Sequence, residues 1–282
     1  MKNTRSFDPE AVRQPAVAGM FYPAYRQALE KEVHEYLDAG QGQHPTAPKA
    51  VIAPHAGYLY SGPIAGSAFK AWRGLHGKVK RVVLIGPSHH CYFRGLALSP
   101  QGQWETPAGR FTVDAAAIDQ LARLPDVHFS AEAHAEEHAL EVELAFLQAT
   151  LGPVQIVPIL TGEVDDDTVA EALGILWGGP ETLIVVSSDL SHYYDYSTAQ
   201  KLDRATADAI EELAPGEIHP PQACGRLAIQ GLLQVAEDCE LTPATLDLRN
   251  SGDTAGRKDR VVGYGAFAFY PATANTSSTP HT

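Results

Sequence analysis

The fold of this chain is decided by residues 82–90, which read Val-Val-Leu-Ile-Gly-Pro-Ser-His-His. Four branched apolar residues in succession are typical of a strand that is buried on both faces of a sheet. Gly86 and Pro87 end this strand, because proline has no N–H group for a central ladder. His89 and His90 follow at its carboxyl end, which is the edge where open α/β sheets bind ligands.

Two further segments repeat this pattern of a buried strand followed by polar side chains. Residues 50–53 lead through Pro54 to His55, and residues 183–188 lead to Asp189 and His192. Because the carboxyl ends of parallel strands meet at one edge of a sheet, these side chains are predicted to meet there. Imidazole and carboxylate groups together suit non-haem iron, zinc or copper. The sequence therefore predicts a metal site.

The histidine pair is expected to contribute one ligand to this site rather than two. Successive residues of an extended chain point in opposite directions, so one of His89 and His90 faces the site and the other faces away.

Composition narrows the class of protein. The chain has 282 residues and a formal net charge of −13, which argues against nucleic acid and anionic membrane surfaces as partners. It has three cysteines and no CxxC pair, so a disulfide framework is not expected. No apolar run approaches the length of a membrane span, and the first 14 residues do not resemble a signal peptide. A cytoplasmic location is expected.

Strand patterns alternate with helix patterns along the chain, which predicts an α/β fold with a central, largely parallel sheet flanked by helices. We expect one domain over residues 15–270, a flexible N-terminus over 1–14 and a disordered tail over 271–282. A long helix is predicted over residues 136–151, where Leu140, Leu144 and Leu147 form an apolar stripe.

Three other patterns could carry chemistry. His134 and His138 fit the H-x-x-E-H pattern of zinc peptidases, but such a short motif arises easily by chance, and a capping or solvated role is preferred. A hydrolase built on Ser188 is disfavoured because the chain has no G-x-S-x-G elbow. Cys224, beside Gly225, is interpreted as a buried structural thiol in preference to a reactive one.

Several blocks of sequence, in order, resemble the Memo-like family in its bacterial and archaeal branch. The similarity extends over residues 15–270. The matching blocks are Pro15-Ala16-Val17-Ala18-Gly19, Ala53-Pro54-His55-Ala56-Gly57-Tyr58, Gly86-Pro87-Ser88-His89-His90, Glu137-His138-Ala139-Leu140-Glu141, Ser187-Ser188-Asp189-Leu190-Ser191-His192 and Val261-Val262-Gly263-Tyr264.

This resemblance implies a fold related to the class III extradiol ring-cleaving dioxygenases. It also implies a functional link to AMMECR-like and radical-SAM proteins. His55 and His89 match metal ligands of the family, and Asp189 and His192 match residues that line the same pocket. His138 belongs to a matching block, whereas His134 does not.

The resemblance leaves the third metal ligand open. Animal members of the family place a cysteine ligand in the loop before the final strand, where this chain has Thr254 beside Asp253. His192, Asp189 and Asp253 are therefore the competing candidates.

These observations lead to one functional hypothesis and one alternative. The hypothesis is a non-haem iron oxidoreductase or dioxygenase, with Fe(II) preferred over copper or zinc. His138 or His192 would then transfer protons. The alternative is a non-catalytic protein that binds a metal or a peptide on a dioxygenase-like fold.

Overall fold

The computed structural model describes residues 6–42 and 44–272. Its strands are, in chain order, β1 (Asp8–Arg13), β2 (Ala50–Ala53), β3 (Arg81–Pro87), β4 (Leu96–Leu98), β5 (Gln101–Thr106), β6 (Gly109–Val113), β7 (Val127–Phe129), β8 (Gln155–Thr161), β9 (Thr182–Ser187), β10 (His192–Tyr194), β11 (Thr242–Asn250) and β12 (Val261–Tyr270). Its α-helices are α1 (Arg26–Ala39), α2 (Tyr58–Lys70), α3 (Ala115–Leu121), α4 (Ala131–Ala135), α5 (Leu144–Leu151), α6 (Asp166–Leu176), α7 (Tyr196–Glu211) and α8 (Arg226–Asp238). Short 3₁₀ helices span Glu141–Glu143, Pro215–Glu217 and Ser251–Asp253.

One large mixed sheet organises the fold. Its main path runs β1-β5-β6-β8-β3-β9-β2-β12-β10, with β11 paired to β12, and with β4 paired to both β7 and β8. The central strands β8, β3, β9 and β2 run parallel to one another, whereas β12 pairs with β2, and β4 with β8, in the antiparallel direction. The predicted α/β fold with a largely parallel central sheet is confirmed.

The three strands that the sequence predicted to be buried lie side by side. All residues of β2 and β9 are buried, and in β3 only Arg81 is partly accessible. Because β9 lies between β3 and β2 and all three run parallel, their carboxyl ends meet at one edge of the sheet. This arrangement places the residues after each strand close together.

Six of these helices flank the sheet in two packed groups. One group consists of α1, α2 and α5, and another of α3, α6 and α8. Helix α1 presents Leu29, Val33 and Leu37 to the core at helical spacing. Among the described residues, no helix is both long and apolar enough to cross a membrane.

The N-terminal segment differs from its prediction. Residues 8–13, which were expected to be flexible, form β1 and pair with β5. The reason is that Arg13 is buried and its guanidinium forms an ion pair with Glu141 at 2.6 Å, which a count of polar residues cannot reveal. Residues 1–5, and residues 273–282 of the predicted tail, lie outside the described residues.

The prediction of a helix over residues 136–151 is also wrong for the first part of this range. Residues 136–140 are not helical, a 3₁₀ turn covers Glu141–Glu143, and α5 begins only at Leu144. The Glu137 carboxylate accepts hydrogen bonds from the backbone N–H groups of His138 and Ala139, both at 2.9 Å. These local side-chain bonds compete with a helical ladder.

Candidate metal centre

His55 and His89 follow two of the parallel strands at the same edge of the sheet. His55 comes two residues after β2, and His89 comes two residues after β3. Their ring centroids are 5.1 Å apart. His55 is buried, whereas the His89 side chain is 29% exposed. The two histidines that the strand pattern predicted are therefore brought together.

His138 completes a cluster of three histidines at this edge. It lies in the irregular segment between α4 and the Glu141–Glu143 turn. Its ring centroid is 5.5 Å from that of His55 and 4.7 Å from that of His89. One ligand nitrogen from each of the three imidazoles lies within 4.8 Å of the others. The sequence had assigned His138 to proton transfer, whereas the structure places it among the possible ligands.

Two of the three imidazoles are hydrogen-bonded through their Nδ1 atoms. His55 Nδ1 lies 2.8 Å from the Ser187 hydroxyl, and His89 Nδ1 lies 2.9 Å from the Glu137 carboxylate. His138 Nδ1 lies 3.4 Å from the same carboxylate oxygen. In His55 and His89 this leaves the Nε2 atom for a ligand. Such outer contacts, which fix ring orientation and tautomer, are typical of metal-binding histidines.

Glu137 is buried and is shared by two of the three histidines. Burial alone would raise the pKa of its carboxyl group. The hydrogen bond and charge of His89, together with the backbone N–H groups of His89 and Ala139, outweigh this effect and lower the pKa to about 2. The carboxylate is therefore ionised, and it supplies the negative charge that the site needs in order to hold a cation.

The histidines themselves respond differently to burial. Burial and the neighbouring imidazoles hold the pKa of His55 well below its usual value. Burial likewise lowers the pKa of His138 to about 4. For His89 burial acts in the same direction, but the hydrogen bond and charge of Glu137 are stronger and raise its pKa. His55 and His138 are thus neutral near pH 7, which is the form that binds metal ions.

These features fit a divalent transition metal. Neutral imidazole nitrogens suit zinc, iron and copper, and they do not suit the hard cations magnesium and calcium. The fit rests on three imidazole nitrogens that converge and on the ionised carboxylate beside two of the rings. The same residues do not discriminate between zinc, iron and copper.

Asp189 lies beside the cluster and bonds to the backbone of the His55 segment. One of its carboxylate oxygens accepts the N–H groups of His55 at 2.8 Å and of Ala56 at 3.3 Å. Burial raises the pKa of Asp189 to about 7, although these two N–H groups oppose the shift. Asp189 is not part of the three-histidine cluster, and its role as a metal ligand stays a prediction.

His192 lies at a cavity that opens beside the cluster. Its Nδ1 lies 2.7 Å from the Leu190 carbonyl oxygen, so Nε2 remains for the cavity. Burial lowers the pKa of His192, and the charge of His89 acts in the same direction. The cavity has a volume of about 370 Å³. Its lining residues are His89, His192, Tyr193, Tyr194, Pro220, Pro221, Ala223 and Cys224.

Tyr193 has an unusual backbone at the mouth of this cavity. Its φ angle is +65°, a left-handed conformation that costs a residue with a side chain about 1–2 kcal/mol. Its ring is exposed, and the Arg260 guanidinium lies 4.5 Å from the ring centroid. Strained residues of this kind cluster at ligand sites.

The other candidates lie outside the cluster. His134 is buried, its Nε2 bonds to the Ala97 carbonyl oxygen at 3.0 Å, and it packs against Trp104. The zinc-peptidase interpretation is therefore wrong, and so is the expectation that His134 is solvated. His90 lies beside His138, with ring centroids 6.0 Å apart, and is not among the three clustered histidines.

The loop before the final strand does not contribute a ligand to the cluster. The Asp253 carboxylate accepts hydrogen bonds from the Tyr196 hydroxyl and the Asn250 N–H group. The Thr254 hydroxyl donates to the Ser251 carbonyl oxygen. Asp253 lines a different cavity, which lacks all three clustered histidines.

The sequence did not predict that two further residues, Ser187 and Cys224, contact His55. Ser187 was treated as part of a strand, yet it is the partner of His55 Nδ1. Cys224 lies with its Sγ atom 3.3 Å from His55 Nε2, although the two residues are 169 positions apart. Burial raises the pKa of the Cys224 thiol to about 12. No local pattern connects either residue to His55.

The fold and the site together define a class: α/β proteins that hold a histidine cluster at the carboxyl edge of a largely parallel sheet. The sequence profile described as "Memo-like protein" matches residues 13–268. The chain belongs to the Memo-like family, as its sequence blocks predicted.

Individual relatives extend over almost the whole chain. It is 33% identical to a MEMO1 family protein of Pyrobaculum arsenaticum, over 92% of this chain and 99% of the relative. It is 34% identical to a MEMO1 family protein of Thermotoga maritima, over 89% and 97%, respectively. A MEMO1 family protein of Methanococcoides burtonii is 35% identical, over 90% and 98%.

A solved structure shares the fold. An uncharacterized protein of Escherichia coli K12, JW3007, superposes with a TM-score of 0.50, at 14% identity, over 78% of this chain and 99% of that chain. At this level of identity the likeness concerns the fold alone.

Proposed function

We propose that the protein binds one divalent transition metal through His55, His89 and His138, and that with Fe(II) it acts as an oxidoreductase of the dioxygenase type. The observation that supports this proposal most directly is the convergence of three imidazoles, two of which are hydrogen-bonded through Nδ1. Iron(II) at such a site supplies redox chemistry toward dioxygen.

The protein's own residues divide the remaining tasks. Ser187 orients the His55 ring and Glu137 orients the His89 ring, so that the cluster is formed before a metal binds. The cavity of about 370 Å³ beside His89 would hold the substrate, a small molecule or the side chain of a peptide. Tyr193, Tyr194 and two prolines give this cavity flat apolar walls.

His192 is the residue that we assign to proton transfer. Its Nδ1 faces a carbonyl oxygen and therefore carries the proton, which makes Nε2 an acceptor directed toward the cavity. Burial keeps the ring neutral by lowering its pKa. A neutral imidazole with a free Nε2 can act as a general base. His138, as a ligand, is not available for this role.

The first experiment measures the metal content of anaerobically purified protein. Wild type is compared with the single variants His55→Ala, His89→Ala and His138→Ala, and with His90→Ala as a matched control. We expect close to one equivalent of metal in wild type and in His90→Ala, and strong losses in the other three. A wild-type protein that also refuses added iron, copper and zinc would overturn the proposal.

The second experiment tests catalysis separately from binding. Oxygen uptake by the iron-loaded protein is measured with a panel of catechols, with His192→Gln and His192→Ala beside wild type. Uptake that falls on the order of 10²-fold or more in both His192 variants, at unchanged iron content, supports a proton-transfer role. No uptake across the panel, with iron bound, would favour a non-catalytic metal-binding protein.

A further inference from the structure

Glu143 is a fully buried carboxyl group that a single side chain, Ser187, separates from the histidine cluster. It belongs to the 3₁₀ turn Glu141–Glu143, directly before α5. Its Oε1 atom lies 2.8 Å from the Ser187 hydroxyl oxygen, which itself lies 2.8 Å from His55 Nδ1. Its Oε2 atom is also buried and has no hydrogen-bond partner in the described part of the chain. A buried carboxyl group with an unpartnered oxygen requires a physical explanation.

The Ser187 hydroxyl has three polar partners but only one proton. Besides Glu143 and His55, its Oγ atom contacts the Ala139 carbonyl oxygen at 2.6 Å, the shortest of the three distances. A carbonyl oxygen can only accept a hydrogen bond, so the hydroxyl proton is directed to Ala139. The lone pairs of Oγ then face the other two partners. Both Glu143 and His55 are therefore donors to Ser187.

This count of protons requires Glu143 to be neutral, because a carboxyl group can donate only when it is protonated. An ionised Glu143 would also leave a charged oxygen buried without a hydrogen bond from any described residue. Burial raises the pKa of Glu143 well above its usual value, and the charge of Asp189 acts in the same direction, whereas a hydrogen bond from Ser187 opposes them. The hydrogen-bond geometry and the burial thus favour the same form.

We propose that Glu143 is a positioning residue of the metal site, which stays protonated and donates to Ser187, so that Ser187 accepts the Nδ1–H group of His55. This inference rests on the proposed metal site, since it concerns the tautomer of one of its ligands. With the proton on Nδ1, the Nε2 atom of His55 keeps the lone pair that a metal ion needs. Two buried carboxyl groups then have different tasks: ionised Glu137 compensates the charge of the cation, and neutral Glu143 fixes the direction of the hydrogen bonds.

Infrared spectroscopy of the metal-free full-length protein tests the protonation of Glu143. The carbonyl stretch of a protonated carboxyl group is separate from the bands of carboxylates and shifts in heavy water. Spectra are recorded well above the pKa values of about 7 for Asp189 and about 6 for Asp203, so that both are ionised. We expect the band in wild type and in the control Glu136→Gln, and its loss in Glu143→Gln. A wild-type protein without this band would overturn the proposal.

Nitrogen-15 NMR of the histidine side chains tests the effect of Glu143 on His55. The metal-free protein is labelled at its histidines, and the His55 signals are assigned from their loss in His55→Gln. We expect the Nδ1–H tautomer in wild type and in Glu143→Gln, because a glutamine amide can donate to Ser187 as the neutral carboxyl group does. Glu143→Leu and Ser187→Ala remove that support and should admit the Nε2–H tautomer. An unchanged tautomer in Glu143→Leu would overturn the role of Glu143.

Metal affinity provides a further readout, measured with Co(II) in competition with a chelator. We expect Glu143→Gln to bind cobalt about as tightly as wild type, and Glu143→Leu to bind it more weakly by on the order of tenfold or more. A loss in Glu143→Gln as large as that in Glu143→Leu would show that the site uses the charge of an ionised Glu143, which would overturn the proposal.

The outcomes separate this inference from the proposed metal site, because the infrared band and the tautomer are measured without metal. A protein that binds cobalt through His55 but lacks the band would overturn the role of Glu143 and leave the three-histidine site standing. A protein that shows the band and the fixed tautomer but binds none of cobalt, zinc, iron or copper would overturn the metal site, and with it the positioning role.

Discussion

At the scale of single residues, the histidine cluster depends on Glu137. Its carboxylate contacts the Nδ1 atoms of His89 and His138 and accepts the backbone N–H groups of His89, His138 and Ala139. One buried side chain therefore orients two possible ligands and fixes the irregular segment that carries one of them. The sequence placed this residue in the H-x-x-E-H pattern and in a Memo-like block, and neither assigned it a role at the site.

Replacing Glu137 with glutamine tests this role. The amide has nearly the same size but no charge, so it holds the two rings less firmly and provides less compensation for a cation. We expect Glu137→Gln to bind Co(II) or Zn(II) about 10–100-fold more weakly than wild type, as measured by competition with a chelator of known affinity. The control is the variant Glu136→Gln, which changes an exposed neighbouring residue and should leave the metal affinity unchanged. Equal affinities for all three proteins would contradict the assignment.

Asp203 gives the protein a predictable dependence of stability on pH. The residue is buried, and burial raises its pKa to about 6, although the Ser191 N–H group opposes this shift. The folded value lies above the value of about 3.9 for an unfolded aspartate, so the native state binds the proton more tightly. The stabilisation is therefore complete below about pH 4, and it is lost as the pH rises through about 6.

The variant Asp203→Asn removes this titration. A pKa difference of about 2 units corresponds to about 3 kcal/mol, so the variant should be more stable than wild type at pH 7 by up to that amount. Near pH 4 the two proteins should be similar. Urea unfolding at several pH values measures the difference, with the exposed Asp119→Asn as control. A stability difference that does not change with pH would rule out Asp203 as its source.

At the scale of secondary-structure elements, Glu141 attaches the N-terminal part of the chain to the site. Its buried carboxylate forms an ion pair with Arg13 of β1 and accepts the N–H groups of Ala16 and Val17 and the Tyr22 hydroxyl. Phe21 of the same segment packs on the His138 ring, with centroids 4.7 Å apart. Glu141 thus links β1 and the segment after it to the part of the chain that carries a possible metal ligand.

Loss of the Glu141 carboxylate should be strongly destabilising. The variant Glu141→Ala leaves the Arg13 guanidinium buried without its partner, which typically costs about 3–5 kcal/mol. Chemical denaturation of the metal-free protein measures the change in the free energy of unfolding. Glu163→Gln breaks an exposed ion pair with Arg94 and serves as the comparison, with an expected loss of about 0–1 kcal/mol. A loss in Glu141→Ala no greater than that in Glu163→Gln would show that the buried pair does not anchor β1.

At the scale of the whole molecule, the candidate site joins distant parts of the chain. His55, His89 and His138 follow β2, β3 and α4, respectively, and they meet only in the folded protein. A metal ion that binds all three stabilises the native state, because the unfolded chain does not present the cluster. The effect of metal on thermal stability therefore reports on the assembled site.

Added zinc should raise the melting temperature of the metal-free protein. At a free concentration 100 times the dissociation constant the stabilisation is about 2.7 kcal/mol, which for a protein of this size corresponds to about 5 °C. Differential scanning calorimetry measures the shift. Calcium should have no comparable effect on wild type, because it prefers oxygen ligands. Zinc should have little effect on His55→Ala/His89→Ala, and an equal shift in that variant would place the binding elsewhere.

The sequence by itself determined the parallel centre of the sheet and two of the three clustered histidines. The apolar runs of β2, β3 and β9 and the residues that end them are local features, and parallel strands necessarily present their carboxyl ends at one edge. His55 and His89 could be predicted for this reason. The Memo-like blocks are likewise local features of the sequence, and their order along the chain predicted the family.

Only the tertiary structure decided what surrounds those two histidines. His138 lies in a segment whose periodicity predicts a helix, but buried hydrogen bonds to Glu137 hold it in an irregular conformation. Ser187 and Cys224 reach His55 from positions 132 and 169 residues away. Such contacts depend on how strands and helices pack against one another, and local pattern carries no information about that packing. The third histidine and the thiol were therefore visible only in the folded chain.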